Sequence, residues 1–105
     1  MSGQSDQMES TSTTYVRVRW EHDNDDDPIV RYYELDSGRM TRGVVEAFGD
    51  GRVQRADTVD PDAPTSLSWE PIPTRDEIHQ QPEFTGRAIT IAEFEAVWRR
   101  GSASA

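Results

Sequence analysis

An acidic segment at residues 23–27 is the first candidate for chemistry in this sequence. Its letters are DNDDD, which places four carboxylates within five positions: Asp23, Asp25, Asp26 and Asp27. Alternate aspartates followed by Glu34 at the twelfth position match the ligand spacing of an EF-hand calcium loop. Pro28 stands at the sixth position, where that loop needs glycine, and strand patterns flank the segment. We therefore predict no metal site. Two roles remain for the segment, a solvated hairpin turn or a negative surface that attracts a basic protein.

Arginines and tyrosines on the predicted strands are the second candidate. Arg17 and Arg19 alternate with valines in one strand, and Arg31 alternates with Tyr33 in the next. Arg42, in a third strand, extends the set. If the strand registers align, one sheet face carries these side chains and can stack on bases or pair with carboxylates. The alternative is that they cover the back of an open sheet and pair with glutamates on neighbouring strands.

The histidines form no persuasive catalytic group. His22 and His79 are the two present, and neither has a companion ligand at the spacing of a metal site. The chain has no cysteine, which excludes disulfides, thiolate metal sites and cysteine nucleophiles. We predict no catalytic residue and no cofactor, and we do not expect an enzyme. An enzyme is the last of the hypotheses, with Glu21, His22 and Asp23 as its candidate residues.

The charge balance limits the classes of partner. Twenty acidic and 11 basic residues give a formal net charge of −9 at pH 7. Nucleic acids and anionic membranes are disfavoured as partners, because binding to phosphate depends on positive charge that releases counterions. A basic protein suits this charge. No stretch approaches the ~18 apolar residues that span a bilayer, and we expect a cytoplasmic protein.

Period-two alternation predicts the strands that position these side chains. Alternating or β-branched runs cover residues 15–22, 29–35, 40–48 and 52–58. Turn signals separate them, the clearest being Asp50-Gly51, which is typical of a hairpin. Four strands in this order predict an antiparallel meander.

Two capping boxes predict the helices that follow. Thr74 with Glu77 begins a short helix over 75–81, and Thr90 with Glu93 begins a second. The second helix has an apolar stripe that needs a surface to cover: Ile91, Phe94, Val97 and Trp98. We therefore predict an α+β domain at 15–100, a four-stranded antiparallel meander with two short C-terminal helices packed on one face. Residues 1–14 and 101–105 are predicted to be disordered tails.

The aromatic residues include two candidate interface anchors. Trp69, in the proline-rich stretch LSWEPIP, and Tyr33 are the residues we expect to contact a partner, since Trp and Tyr are enriched in interface hot spots. Trp20 and Trp98 share apolar faces with other predicted core residues and are expected to be buried.

Several short sequence motifs occur in a characteristic order along residues 15–99. They are Trp20-Glu21-His22, the YYELD that follows Pro28, the turn at 48–51, WEPIP from Trp69, PEF from Pro82 and the closing ITIAEFEAVW. In this order and spacing the chain resembles a family of small single-domain bacterial proteins of unknown function. The resemblance supplies no catalytic residues, and it implies a likeness to immunity proteins encoded beside bacterial toxins.

The leading functional hypothesis is a small acidic protein-binding module. It would be an immunity-type inhibitor that covers the basic surface of a toxin or a nucleic-acid enzyme, with the acidic segment steering association. The alternative is a domain that binds a small molecule or nucleotide on the arginine and tyrosine face of the sheet. The partner's identity and the oligomeric state do not follow from the sequence.

Overall fold

A mixed α+β domain forms around one sheet in the structure, a computed structural model that describes residues 13–24, 27–59, 62, 65–67 and 71–103. Its elements in chain order are β1 (Thr14–Trp20), β2 (Pro28–Leu35), β3 (Thr41–Phe48), β4 (Val53–Ala56), α1 (Arg75–His79), β5 (Phe84–Ala88), α2 (Ile91–Arg100) and β6 (Ser102–Ala103). The predicted α+β class is confirmed, and the four predicted strands correspond to β1 through β4.

The sheet has more strands than predicted. Its order is β5-β1-β2-β3-β4-β6, so β1 to β4 form the antiparallel meander and two further strands extend its edges. β5 pairs antiparallel with β1, whereas the two-residue β6 pairs parallel with β4. The prediction of four strands is therefore wrong. The predicted C-terminal tail also contains β6, while residues 1–12 and 104–105 lie outside the described residues.

β5 has a weak strand signal because its centre is a glycine. Gly86 pairs with Val18 and is buried beneath α1, where an added Cβ would lie 3.6 Å from Ile78 Cδ1. The ring of His79 blocks the outer edge of β5, since its Nε2 accepts a hydrogen bond from the Gly86 N–H at 3.0 Å. A capped edge strand resists pairing with another chain. Tertiary contacts of this kind leave no periodic pattern in a five-residue segment.

The strand register divides the side chains between two faces of the sheet. We call one the cleft face; it carries Val16, Val18 and Trp20 of β1, Arg31 and Tyr33 of β2, Val44 and Glu46 of β3, and Phe84 and Gly86 of β5. The opposite face, called the α2 face, carries Tyr15, Arg17 and Arg19 of β1, Tyr32 of β2, Val45 of β3 and Arg55 of β4.

The two helices lie on opposite faces, which corrects the prediction that both pack on one face. α1 lies on the cleft face through the contact of Ile78 with Gly86. α2 lies on the α2 face, where the rings of Phe94 and Tyr15 have centroids 5.2 Å apart. The edge strand β5 explains this placement. Because β5 lies between α1 and α2 in the chain, the chain can return to the sheet on its other face.

Both predicted capping boxes are present. Thr90 Oγ1 accepts a hydrogen bond from the Glu93 N–H at 3.1 Å, and Thr74 Oγ1 accepts one from the Glu77 N–H at 3.3 Å. The predicted apolar stripe of α2 is only partly correct. Phe94 is 5% exposed, whereas Ile91, in the first turn, is 54% exposed. The stripe that contacts the sheet therefore begins at Phe94.

Candidate functional site

A cavity of about 330 Å³ lies on the cleft face of the sheet. β1, β2 and β5 form its floor, and α1 and the segment before it form its wall. The residues that line it are Val18, Trp20, Pro28, Val30, Arg31, Tyr33, Ile72, Pro73, Glu77, Ile78, Gln81 and Phe84. The lining is mainly apolar with a few polar groups, which is the usual composition of a site for a small molecule.

The turn between β2 and β3 holds one wall of the cavity in place. Arg39 Nε donates to the Ile72 carbonyl at 2.9 Å and its Nη2 donates to the Pro73 carbonyl at 2.6 Å. Ile72 N–H donates in return to the Arg39 carbonyl at 2.9 Å. Arg39 has a φ of 65°, a region that non-glycine residues seldom adopt. Nothing in the local sequence predicts this role for Arg39, since the segment that it holds is more than thirty residues away.

A polar cluster lies beside the apolar wall. Arg31 Nε donates to Glu46 Oε2 at 2.8 Å, and the Tyr33 hydroxyl lies next to the Arg31 guanidinium. The other carboxylate oxygen of Glu46 accepts a hydrogen bond from the Thr65 hydroxyl at 2.9 Å. Thr65 is 2% exposed, so this network ties the segment after β4 to the cleft face.

A second cavity of about 310 Å³ adjoins the first on the same face. Arg31, Tyr33 and Ile72 line both cavities, and the second is closed by residues of β3 and of the segment after β4. The hydroxyl of Thr41 is buried beside it and is the one buried side-chain polar atom without a hydrogen bond in the described part of the chain. The polar cluster thus stands at the junction of the two cavities.

A family model described as a domain of unknown function (DUF6881) matches residues 14–103. The chain belongs to this family. The matched range begins with β1 and ends with β6, so the family model includes both strands that sequence analysis missed. The predicted membership in a family of unknown function is confirmed. No curated protein and no solved structure matches the chain.

The predicted arginine and tyrosine face does not form in this DUF6881 domain. Arg17 and Arg19 lie on the α2 face, whereas Arg31 and Tyr33 lie on the cleft face. Arg42 lines a groove beside Phe94 and Trp98 on the α2 side of the sheet. The prediction placed the arginines of β1 and β2 on one face of the sheet. The observed pairing instead sets Val18 opposite Arg31 and Arg17 opposite Tyr32. A change of one residue in register exchanges the two faces.

The acidic segment forms an ordered turn where it is described. His22 Nδ1 accepts a hydrogen bond from the Asn24 N–H at 3.0 Å, so the ring is the Nε2–H tautomer, which donates to the Pro28 carbonyl at 2.8 Å. Asn24 Nδ2 donates to Asp27 Oδ2 at 3.0 Å, and Asp23 is exposed. The rest of the predicted set, Asp25, Asp26 and the anchor Trp69, lies outside the described residues.

The described residues form neither a metal-ion cluster nor a membrane-spanning helix. Over the residues that the structure describes, no three histidine or acidic side chains converge as a metal site would require. No helix in the same part of the chain has the length and apolar character needed to cross a membrane.

Burial changes the acidity of Tyr33, the predicted anchor that the structure places in the cavity. Burial raises the pKa of the Tyr33 hydroxyl above its ordinary 10.0, and the positive charge of Arg31 offsets part of this effect. The folded protein therefore keeps the Tyr33 proton to a higher pH than the unfolded chain does. This difference lowers the stability of the fold once the pH exceeds the pKa of Tyr33 in the unfolded chain, because the unfolded chain then binds fewer protons than the folded protein.

Replacing Tyr33 by Phe should therefore reduce the loss of stability at alkaline pH. We expect the parent domain to lose more unfolding free energy than Tyr33→Phe between about pH 8 and about pH 11. Urea unfolding at the two pH values measures the difference. Tyr15, whose pKa burial and Glu34 also raise, leaves some pH dependence in the variant. An equal loss in parent and variant would contradict the role assigned to Tyr33.

Proposed function

We propose that this DUF6881 domain binds a small molecule in the cleft-face cavity. The observation that carries the proposal is the cavity itself, about 330 Å³ in volume, with an aromatic and aliphatic wall and a polar cluster at one end. Volumes of about 300–1,000 Å³ are typical of ligand sites, and convergent polar groups orient the ligand. The proposal keeps Arg31 and Tyr33 from the predicted ligand face and omits Arg17, Arg19 and Arg42, which lie elsewhere.

Contacts that hold the cavity walls in place support this role. Trp20 and Phe84 stack with ring centroids 5.7 Å apart, and the ring centroids of Trp20 and His22 are 4.2 Å apart. Arg39 fixes the opposite wall through its two hydrogen bonds to backbone carbonyls. Binding to a preformed apolar site costs little conformational entropy, so even small fragments should bind there detectably.

An NMR titration with a library of small aromatic and aliphatic fragments tests the proposal. Trp20 lines the cavity and Trp98 lies on the opposite face, so their indole N–H resonances give a reporter and an internal control. We expect several fragments to shift the Trp20 resonance and leave that of Trp98 in place. Fragments that shift neither, or both equally, would contradict binding in the cavity.

A pair of variants tests the location. Ile72→Trp places a large side chain in the wall that both cavities share, and we expect it to abolish the fragment shifts. Ile91→Trp adds the same side chain at an exposed position on α2 and should leave them unchanged. Matching chemical-shift dispersion in both variants would show that the fold is retained.

A second candidate function is the protein-binding module predicted from the acidic segment. It would inhibit a basic partner such as a toxin or a nucleic-acid enzyme. Two observations favour it, the net charge of −9 and the hydrogen bonds of His22 and Asn24 that shape the turn. Clustered negative charge raises association rates with a basic surface, most strongly at low salt.

Charge-matched variants test this second candidate. One replaces the four aspartates of the acidic segment by Asn, and its control neutralises four exposed acids elsewhere: Asp57, Asp62, Asp76 and Glu83. We expect a basic partner recovered by affinity capture to bind the control but not the segment variant at low salt. Equal loss in both would assign the effect to net charge alone.

A further inference from the structure

Arg31 has hydrogen-bonding capacity that the described residues do not use. A guanidinium carries five N–H donors, and two carboxylates can bind to different edges of it. In the described residues Arg31 directs its Nε to Glu46 and lies beside the Tyr33 hydroxyl, and no carboxylate pairs with its terminal nitrogens. Its side chain is 38% exposed and lines both cavities, so a ligand can reach these donors.

The surroundings of Arg31 determine which anion fits. Glu46 compensates the charge of Arg31, and the positive charge of Arg39 partly offsets that of Glu77, which also lines the cavity. A backbone hydrogen bond from Thr74 lowers the pKa of Glu77, which keeps this carboxyl ionised. Two acidic side chains and a net charge of −9 disfavour a dianion such as a phosphate ester. A flat carboxylate with one charge matches the free edge of the guanidinium.

We propose that the ligand of this cavity is a small carboxylic acid with an aromatic or branched apolar body. Its carboxylate pairs with the terminal nitrogens of Arg31 beside the Tyr33 hydroxyl, and its body packs against Trp20, Ile78 and Phe84. This inference rests on the proposed binding function and adds the chemical class of the ligand. Arg31 is the residue that selects the acid over a neutral compound of the same shape.

A matched pair of probes tests the chemical class. The probes are 3-phenylpropionate and 3-phenylpropanamide, which have the same shape and differ in charge. We expect the acid to bind about tenfold more tightly than the amide, which is the effect of one charged hydrogen-bonded contact. Titration by NMR at fixed pH and salt, read at Trp20, measures both affinities.

Three variants locate the selectivity. Arg31→Met should remove the preference for the acid, and Arg31→Lys, which keeps the charge beside Glu46 but loses the planar fork, should reduce it. Arg19→Met is the control, because Arg19 is exposed on the α2 face. We expect the control to keep the parent's preference. Thermal unfolding of each variant shows whether it folds.

The outcomes separate this inference from the function on which it rests. Equal binding of acid and amide at Trp20 would overturn the carboxylate assignment and leave the cavity as a ligand site. An acid preference that survives Arg31→Met and Arg31→Lys would also overturn it. If the cavity binds neither probe nor any library fragment, both proposals are wrong.

Discussion

Replacing Phe94 by Ala is expected to lower the unfolding free energy by about 3–5 kcal/mol, the usual range for truncating a buried phenylalanine. Phe94 is 5% exposed and contacts the Tyr15 ring at 5.2 Å and the Trp98 ring at 5.7 Å. It also packs over Gly43, where an added Cβ would lie 3.5 Å from its ring. The loss would be a large part of a small domain's total stability, so some unfolding at room temperature is expected.

Urea unfolding measures this effect, and the same helix supplies the control. Ile91→Ala removes an apolar side chain that is 54% exposed and should change the free energy by no more than about 0.5 kcal/mol. Trp98→Ala should fall between the two, because Trp98 is only half-buried although it stacks on Arg55. A Phe94→Ala variant as stable as Ile91→Ala would show that α2 does not cover the sheet.

Local elements follow from sequence because their causes are local. Thr90 and Glu93 satisfy each other's backbone N–H groups three residues apart, and this spacing is visible in the letters. The face on which α2 packs has a distant cause, the insertion of β5 beside β1. Gly86 gives β5 a weak pattern, and its burial depends on Ile78 of another element. The sequence therefore predicts the helices and misses their placement.

The candidate site is predictable to a similar degree. Arg31 and Tyr33 stand two residues apart on one strand, so alternation alone predicts that they share a face. Whether Arg17 joins them depends on the register of β1 against β2, which period-two patterns on both strands leave open. The role of Arg39 is harder to predict, because this residue acts by donating hydrogen bonds to backbone carbonyls in another part of the chain.

Glu46→Ala is the second substitution with a large expected effect. The Glu46 side chain is 12% exposed, and its carboxylate accepts hydrogen bonds from Arg31 and from the buried Thr65 hydroxyl. The variant removes the acceptor of Arg31 Nε, while the Thr65 hydroxyl keeps Gln54 Oε1 as a hydrogen-bond partner at 2.9 Å. We expect a loss of about 2–3 kcal/mol, less than for a fully buried pair because water reaches Arg31. Breaking the exposed pair of Arg19 with Glu21 by Glu21→Ala should cost no more than about 1 kcal/mol.

A double variant identifies the source of the loss. Arg31→Met with Glu46→Leu removes the charged pair and fills the space with apolar groups, and such replacements are often neutral. If the unpaired Arg31 is what destabilises Glu46→Ala, the double variant should regain most of the loss in urea unfolding. A double variant as unstable as Glu46→Ala would assign the cost to Thr65 and to packing. The guanidinium would then tolerate losing its partner, and Glu46 would not be needed to hold Arg31 at the junction of the two cavities.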